Sequence, residues 1–288
     1  MSILKTDNLT YKYSVGTPFE VTALKDINLE IEKGELVAVI GHTGSGKSTL
    51  IQHFNGLLKP TEGKIFVDGQ DIWESKKTLK EARFKVGLCF QYPEYQLFEE
   101  TVFADIAFGP KNMGLDEEEI KSRVLSAASF TGVTEEMLEK SPFDLSGGEK
   151  RRVAIAGVMA MEPEILILDE PTSGLDPKGR DAILKMIRDY RDTTGSTVMI
   201  VSHSMEDVAK IATRVLVMNH AEIMSFDTVE ETYRHADSLI SVGLDVPQIT
   251  KVFLELKRRG IPVKSNIYTV DQAVSEIDRL RKEGVSLC

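Results

Sequence analysis

The amino-acid sequence predicts an α/β fold whose core is a mixed β-sheet that contains parallel β-α-β units. Short apolar runs bounded by turn residues alternate along the chain with stretches of helical periodicity. A glycine-rich pattern typical of phosphate-binding loops lies between a predicted strand at 36–40 and a predicted helix at 49–54. After about residue 229 the alternation gives way to amphipathic helical stretches, which indicates a small C-terminal appendage.

The individual elements follow from the same periodicities. For example, Ile183, Ile187 and Tyr190 have the spacing of one helical face. The predicted strands are the apolar runs at 23–31, 36–40, 65–67, 86–90, 165–168, 198–201 and 215–218, and the predicted helical regions include 109–142, 248–259 and 270–282. We therefore expect a domain at 1–228, with a helical subdomain at about 91–161, and an α-rich appendage at 229–288.

Composition and charge narrow the class of protein. The chain has 288 residues, of which 42% are hydrophobic, and a net charge of −10. This balance is typical of a globular protein, and the negative charge disfavours binding to nucleic acid. The apolar runs are far shorter than the ~20 residues of a membrane helix, and the N-terminus lacks a signal-peptide pattern. We expect a cytoplasmic protein, with Cys89 as a core thiol and Cys288 as a tail thiol.

Residues 41–48 read Gly-His-Thr-Gly-Ser-Gly-Lys-Ser and match the phosphate-binding pattern G-x-x-x-x-G-K-S. The glycines allow the backbone to curl so that its N–H groups face an anion at the N-terminus of the next helix. We expect Lys47 to reach the β- and γ-phosphates of a nucleotide and the Ser48 hydroxyl to bind Mg²⁺. The predicted binding residues here are Gly41, His42, Thr43, Gly44, Ser45, Gly46, Lys47, Ser48 and Thr49.

Two adjacent carboxylates, Asp169 and Glu170, follow the apolar run at 165–168. Neighbouring side chains of a strand point to opposite faces, so the two residues can have different roles at the sheet edge where ligands bind. We expect Asp169 to bind Mg²⁺, directly or through water, and Glu170 to act as the general base on the attacking water. Alone, the pair is weak support, since Asp-Glu after a strand is more often the start of a polar loop.

The segment Ser146-Gly147-Gly148-Glu149 begins a long predicted helix. Ser146 and Glu149 have the spacing of a capping box, which needs no function. The two glycines also expose the N–H groups of the helix N-terminus to a second anion, and the Ser146 hydroxyl adds a donor. The two interpretations are compatible with each other.

Taken together, these motifs resemble the cassette of the ATP-binding-cassette (ABC) ATPases. The matching segments are Gly41–Ser48, Gln91, Leu145–Glu149, Ile165–Glu170, Ser173–Asp176 and His203, in the order and spacing of that family, over roughly residues 1–230. The resemblance implies a P-loop NTPase fold with a helical signature subdomain, ATP and Mg²⁺ as ligands, and ATP hydrolysis. It also implies a head-to-tail dimer, with ATP between the phosphate loop of one subunit and the signature, residues 145–149, of the other.

The resemblance also implies roles for three residues that would otherwise be inconspicuous. Gln91 resembles the residue that senses Mg²⁺ and the attacking water, and His203 resembles the switch histidine on the γ-phosphate. Tyr13 resembles the aromatic residue on which adenine stacks, although Tyr11 competes two positions away. Without the family, Gln91 would be interpreted as a solvated loop residue and His203 as an ordinary strand-end histidine.

Two segments resemble one branch of the family. Phe90–Phe98 followed by Thr101–Gly109 is similar to energy-coupling-factor (ECF) importers and to the related cobalt and nickel importers, and Gly16–Leu24 resembles the second of the two ECF ATPase paralogues. The resemblance implies two non-identical ATPases at the cytoplasmic face of the cell membrane, bound to a transmembrane coupling subunit that pairs with substrate-binding subunits. It also implies uptake of vitamins or other micronutrients, contact with the coupling subunit through Tyr92–Phe98, and an appendage that helps to hold the dimer together.

Two other functions remain open. A cobalt or nickel importer ATPase would be homodimeric, and a soluble ABC ATPase that acts on ribosomes or DNA would need no membrane subunit. A single cassette without a basic tail favours a transporter. The Tyr92–Phe98 region could also be an aromatic loop that packs on its own domain.

Overall fold

The computed structural model describes residues 2–264 and 266–283 and arranges their strands in two sheets. The strands are β1 (Ser2–Tyr13), β2 (Val21–Glu32), β3 (Leu36–Gly41), β4 (Glu62–Val67), β5 (Gln70–Asp71), β6 (Val86–Cys89), β7 (Ile165–Asp169), β8 (Thr197–Val201), β9 (Arg214–Asn219) and β10 (Glu222–Thr228). The helices are α1 (Lys47–Phe54), α2 (Lys76–Lys85), α3 (Val102–Met113), α4 (Glu117–Thr131), α5 (Glu135–Leu138), α6 (Gly147–Met159), α7 (Pro177–Thr194), α8 (Met205–Ile211), α9 (Val229–Arg234), α10 (Ala236–Ser241), α11 (Gln248–Arg258) and α12 (Val270–Lys282). Short 3-10 helices cover Pro93–Gln96 and Pro142–Asp144.

The larger sheet has the strand order β10-β9-β3-β8-β7-β6. Its strands run parallel except β10, which pairs antiparallel with β9 at one edge. The smaller sheet, β2-β1-β4-β5, is antiparallel. The predicted mixed sheet with parallel β-α-β units is therefore confirmed.

Two cores lie on the two faces of the larger sheet, and β3 contributes to both. Val37 and Val39 belong to the core shared with the smaller sheet and α1, whereas Leu36, Ala38 and Ile40 belong to the core under the helices α3–α8. Every residue of β3 is buried. Burial on both faces explains why this strand reads as one uninterrupted apolar run in the sequence.

Three strands, β1, β5 and β10, are absent from the sequence prediction, and β5 has only two residues. The alternation of β1 is broken by a register shift around Asn8, whose φ is 46°, so no simple apolar period is visible. In β10 every side chain is at least partly exposed. An edge strand of this kind has no buried face long enough to produce an apolar run.

The helical region begins earlier than its predicted start near Gly109, because α3 already begins at Val102. In the sequence Gly109-Pro110 resembles a break, yet Pro110 lies within α3. A Cβ on Gly109 would lie 2.6 Å from Cγ of Met161, so the glycine is there for close packing against the end of α6.

The C-terminal helices belong to two different cores. Tyr233 of α9 is fully buried in the core under α3–α8, and its hydroxyl donates to the Met205 carbonyl at 3.1 Å. Phe253, Ile267 and Ala273 instead form a small separate core between α11 and α12. The predicted domain boundary at residue 229 stays a prediction, because α9 packs into the main core while α11 and α12 have their own.

Two further sequence expectations concern cysteines and membrane helices. Burial raises the pKa of the Cys89 thiol to about 12, so Cys89 is a protonated core thiol as predicted. Cys288 lies outside the described residues. Among the helices that the structure describes, none is both long and apolar enough to cross a membrane.

We expect Tyr233→Ala to lower the free energy of unfolding of the whole chain by about 3–5 kcal/mol, because it leaves a cavity in the main core. Tyr233→Phe is the matched control: it removes only the hydroxyl that donates to Met205 and should cost about 1 kcal/mol. Denaturant unfolding followed by circular dichroism measures both. An unchanged main transition in Tyr233→Ala would show that α9 is not part of the main core.

Candidate functional site

The strand order β3-β8-β7-β6 places the predicted motifs in a row along the carboxyl edge of the larger sheet. They are residues 41–48 after β3, His203 after β8, Asp169 and Glu170 at the end of β7, and Gln91 after β6. Val201 of β8 pairs with Val39 of β3 and with Asp169 of β7, so β7 and β8 end at the same level and β3 ends two residues further on. Ligands of open parallel sheets bind at this edge.

Two glycines of the loop at 41–48 are required by the packing of this chain. A Cβ on Gly41 would lie 2.3 Å from the carbonyl oxygen of Met218, and one on Gly46 would lie 2.5 Å from that of Ala23. Their φ angles, 152° and 105°, are also in the region that favours glycine. The loop is therefore tightly curled, and it leads directly into α1, whose N-terminus carries a partial positive charge.

Lys47 lies between this loop and the carboxylate pair. Its Nζ donates to the carbonyl oxygens of Gly41 at 2.6 Å and His42 at 2.9 Å. Burial lowers the pKa of Lys47, and the negative charges of Glu170 and Asp169 act in the opposite direction. A triphosphate in the loop would supply the ammonium with much stronger acceptors than two neutral carbonyls.

The Ser45 hydroxyl provides an independent indication of a ligand in the loop. It is buried and, among the described residues, has no hydrogen-bond partner. Buried hydroxyls in native proteins are rarely left without a partner, and an unpaired one next to a curled loop of N–H donors fits contact with a bound anion.

The Asp169 carboxylate and the Ser48 hydroxyl are hydrogen-bonded neighbours at the sheet edge. Burial raises the pKa of Asp169 and the neighbouring Glu170 raises it further, whereas a hydrogen bond with the Ser48 hydroxyl and the charge of Lys47 lower it. The carboxylates of Asp169 and Glu170 lie close together, with the Ser48 hydroxyl beside Asp169. Such an arrangement suits Mg²⁺, which prefers hard oxygen ligands. The described residues therefore fit the magnesium ion that the sequence predicts.

Glu170 is held in an unusual conformation next to a histidine. Its φ is 50°, which is uncommon outside glycine, and its N–H donates to the Val201 carbonyl at 3.0 Å. His203 Nε2 lies 2.7 Å from Oε1 of Glu170, an ion-pair contact when the imidazole is protonated. Strained backbone of this kind persists where the surroundings fix it, and it is concentrated at functional sites.

The signature residues form the predicted capping box. The Glu149 carboxylate accepts the N–H of Ser146 at 2.8 Å and its hydroxyl at 2.6 Å, and the Glu149 N–H lies 3.4 Å from the Ser146 hydroxyl oxygen. These bonds with the Ser146 side chain and backbone hold the pKa of Glu149 below its ordinary value. Thus the structural interpretation of this segment is confirmed, and the ligand-binding one is compatible with it.

Tyr13 and Tyr11 occupy different environments. The Tyr13 ring is 40% exposed, and its hydroxyl lies 3.2 Å from the Thr49 hydroxyl of α1. Tyr11 is partly buried, with its ring edge-on to those of Tyr13 and His53 at 4.8 and 4.6 Å. Tyr13 therefore has the ring that is more accessible to a base, next to the helix that follows the phosphate loop.

Gln91 lies two residues beyond β6 and is exposed to solvent. It is followed by residues 92–98, which we call the aromatic segment. In that segment Tyr95 is 84% exposed and Phe98 59% exposed, while Pro93 is buried. Both rings are largely exposed, although Phe98 lies edge-on to Phe108 of α3 at 5.0 Å. The interpretation that the segment packs on its own domain therefore stays open.

Some residues that contact these motifs are missed by sequence reasoning. Arg151 is buried and forms an ion pair with Glu94, although the run Lys-Arg-Arg at 150–152 resembles solvated charge. The signal that could have found it is its spacing of four from the buried Ile155 of the same helix. Asp207 is also buried and accepts the Thr172 hydroxyl at 2.8 Å. In the sequence it resembles an ordinary acidic residue of a helix N-terminus.

Comparisons with known proteins show the family to which the chain belongs. The sequence profile of the ABC transporter family matches residues 24–173. The energy-coupling factor transporter ATP-binding protein EcfA2 of Caldanaerobacter subterraneus subsp. tengcongensis is 54% identical over 276 residues, which are 96% of either chain. The protein of that name from Clostridium perfringens is 56% identical over 271 residues, 94% of this chain and 95% of its own.

A solved structure supports the predicted cassette fold. The structure of cbiO1 from Clostridium perfringens, described as part of the ABC transporter complex cbiONQ, superimposes with a TM-score of 0.74 at 41% sequence identity. The superposition covers 87% of this chain and 98% of that chain. The expectation of a P-loop NTPase of the ABC type is therefore confirmed.

We expect Lys47→Ala to weaken binding of a fluorescent nucleoside triphosphate by about 10- to 100-fold, the equivalent of the 1.5–3 kcal/mol of a hydrogen bond to a charged group. Equilibrium titration measures the Kd. Lys64→Ala is the matched control, since Lys64 is exposed and pairs with Asp71 in the smaller sheet. An unchanged Kd in Lys47→Ala would show that the loop at 41–48 is not where the triphosphate binds.

Proposed function

Because the chain belongs to the ABC transporter family and, within it, to the ATP-binding proteins of energy-coupling factor transporters, we propose that it hydrolyses ATP to power import through separate membrane subunits. It is a peripheral protein of the cytoplasmic face of the membrane. Its partners are a second, non-identical ATPase and a transmembrane coupling subunit. The imported substrates are vitamins or other micronutrients, which a further membrane subunit selects.

The observation that carries the proposal is the open space above two signature glycines. A Cβ on Gly147 or Gly148 would meet nothing within 4 Å, and neither residue has a positive φ. In contrast to Gly41 and Gly46, these positions are not required to be glycine by the packing of this chain. Bare N–H groups at a helix N-terminus suit the close approach of a phosphate that another subunit holds. Each chain would then contribute to two composite sites.

Binding of MgATP would use the cluster at the sheet edge. Lys47 and the backbone of the loop at 41–48 would hold the β- and γ-phosphates, with adenine against Tyr13. Ser48 and Asp169 would hold Mg²⁺, with Gln91 beside it. The ion, when bound, neutralises part of the charge that develops on the phosphates.

Hydrolysis needs a base that points at the attacking water. Glu170 would accept the water proton, since its carboxylate stands at the end of β7 directly after the proposed magnesium ligand. His203 Nε2 lies 2.7 Å from one carboxylate oxygen of Glu170, and this contact would help to orient the carboxylate toward the water. Phosphoryl transfer depends mainly on such positioning and on charge stabilisation.

The aromatic segment is the proposed contact with the coupling subunit. Tyr92, Tyr95 and Phe98 are all exposed, and Phe98 meets the exposed ring of Phe108 edge-on at 5.0 Å. Exposed aromatic residues in a continuous patch are typical of protein interfaces. The segment begins directly after Gln91, so a subunit docked there would lie close to the catalytic edge.

The alternative of a homodimeric cobalt or nickel importer ATPase has one specific observation in its favour, the similarity to the cbiO1 structure. The higher identity to two EcfA2 proteins, 54% and 56%, favours the energy-coupling factor assignment. This chain contains the residues of the phosphate-loop half of a composite site and those of the signature half. The site residues therefore disfavour neither a homodimer nor a heterodimer.

We expect Glu170→Gln to lower kcat of the assembled complex by about 10²- to 10⁴-fold, because the amide keeps the shape but cannot accept the proton. ATP affinity should stay close to wild type. The control is Glu164→Gln: Glu164 precedes β7 at the opposite end of the strand and pairs with Lys85 at 3.2 Å. Steady-state ATPase assays decide, and a Glu170→Gln complex with most of its rate would remove this residue from the catalytic role.

We expect the isolated chain to be a poor ATPase at all accessible concentrations, since Ser146, Gly147 and Gly148 can complete only the site of a neighbour. Activity should appear when it is co-expressed with a second ATPase and a membrane coupling subunit. ATPase rate against concentration, for the isolated chain and for the complex, is the measurement. Full activity of the pure homodimer would reject the heterodimer and support the metal importer.

A further inference from the structure

Arg151 occupies a buried junction between three segments of the chain. It lies in α6, one turn after Gly147, and is 4% exposed. Its Nε and Nη2 donate to the two carboxylate oxygens of Glu94 at 3.1 and 2.8 Å, a bidentate pair. Its Nη1 donates to the carbonyl oxygens of Pro171 and Ser173. The guanidinium also stands 5.9 Å from the centre of the Tyr92 ring.

These contacts belong to two functional regions, and Arg151 itself belongs to a third, the signature helix α6. Glu94 and Tyr92 are part of the aromatic segment, and Glu94 lies in its short 3-10 helix. Pro171 and Ser173 belong to the loop that directly follows the base Glu170, which we call the post-base loop, residues 171–173. One side chain therefore connects the exposed aromatic segment, the signature helix and the post-base loop.

The post-base loop is held from its other side by a second buried charge. The Thr172 hydroxyl donates to Asp207 at 2.8 Å, and Arg180 donates to the other oxygen of Asp207 at 2.9 Å. Arg180 also donates to the Ser204 hydroxyl at 2.7 Å, directly after His203. This second contact ties the loop to the strand end that carries His203. The contact through Arg151 instead ties the post-base loop to the exposed aromatic segment.

Stability alone does not account for the Arg151 pair. Burying two charges costs desolvation that their attraction barely offsets, and apolar side chains of similar volume usually stabilise such a position as well or better. Burial opposes ionisation of Glu94, but the hydrogen bond from Arg151 holds the pKa of this carboxyl below its ordinary value. The pair is thus charged and rigid, and the planar fork of arginine can serve the carboxylate and the carbonyls together.

We infer that Arg151 is a positioning residue that transmits movement of the aromatic segment to the post-base loop. This inference rests on the proposed function, in which the aromatic segment docks on the membrane coupling subunit. Docking that moves Glu94 would move the guanidinium and, with it, the carbonyls of Pro171 and Ser173. The loop would then shift Glu170, which lies at its start, relative to the attacking water.

The test uses Arg151→Lys and Glu94→Gln in the co-expressed complex. Lysine keeps the charge but cannot bind the carboxylate and two carbonyls at once. In Arg151→Lys kcat should therefore fall about tenfold while KM stays unchanged. This loss is smaller than the roughly 10²-fold that a 1 Å misplacement of reacting groups costs. Glu94→Gln leaves Arg151 on the loop, so it should reduce the stimulation of ATPase by the coupling subunit more than the unstimulated rate. If the two residues act in series, the double variant loses no more than the worse single variant.

Arg214→Lys is the matched control, because Arg214 has the same kinds of contact far from the site. It pairs with Glu35 at 3.3 Å, donates to the Phe226 carbonyl at 3.0 Å and lies over the Phe226 ring. Arg214 begins β9 and Glu35 precedes β3, at the end of the sheet opposite the catalytic edge. Arg214→Lys should leave kcat and stimulation unchanged. The inference would be overturned if Arg151→Lys and Arg214→Lys lowered kcat equally. It would also be overturned if the losses of kcat in Arg151→Lys and Glu94→Gln multiplied in the double variant.

A second readout does not depend on the partners. In the isolated chain the Ser173 amide donates to the Glu170 carbonyl at 3.1 Å and the Leu175 amide to that of Thr172 at 3.3 Å. Hydrogen exchange of these amides should accelerate in Arg151→Lys, less in Glu94→Gln because Arg151 stays on the loop, and not in Arg214→Lys. Unchanged exchange in Arg151→Lys would overturn the inference. A wild-type complex without stimulation would reject the proposed function instead, and the exchange result would still decide the role of Arg151.

Discussion

The candidate site depends on the register of three parallel strands that end within two residues of one another. Val201 is paired on one side with Val39 and on the other with Asp169, so the phosphate loop, His203 and the carboxylate pair emerge from the sheet in line. Their positions are therefore fixed by backbone hydrogen bonds within a sheet that is buried on both faces, and not by the side chains themselves. A shift of one residue in either pairing would turn each side chain of that strand to the other face.

The same alignment brings two carboxylates close together in a partly buried place, and neighbouring polar groups compensate their negative charge. Asp169 and Glu170 are partly buried side by side, which raises the pKa of Asp169. The Ser48 hydroxyl and the charge of Lys47 lower that pKa, and His203 Nε2 lies 2.7 Å from the Glu170 carboxylate. Each of these groups is also a group that the proposed reaction needs. The groups that pair with one another in this cluster are thus the groups that a triphosphate and its cation would contact. When the ligand binds, each buried charge can change its partner and none is left unpaired.

The sequence predicts the parts of this arrangement that are encoded locally. The loop at 41–48, the capping box of Ser146 and Glu149, and the buried strands each have a short pattern with a physical cause, and the structure contains them. Arg151 and Asp207 could not be predicted, because their roles come from contacts with residues 57 and 35 positions away. Strand β1 was missed for a different reason, since the register shift around Asn8 destroys the period by which a strand is recognised.

The central place of β3 has a consequence for how the protein is made. The Leu36 amide, at the start of β3, donates to the Thr213 hydroxyl, 177 positions later, and β3 pairs with β8 and β9, which are both synthesised long after it. At 5–20 residues per second the ribosome would need roughly 10–35 s to make that stretch. During this time an entirely apolar strand has emerged without either of its neighbours, which is the situation in which nascent chains aggregate. Early binding of β3 by a chaperone would therefore protect the one strand on which the catalytic edge is built.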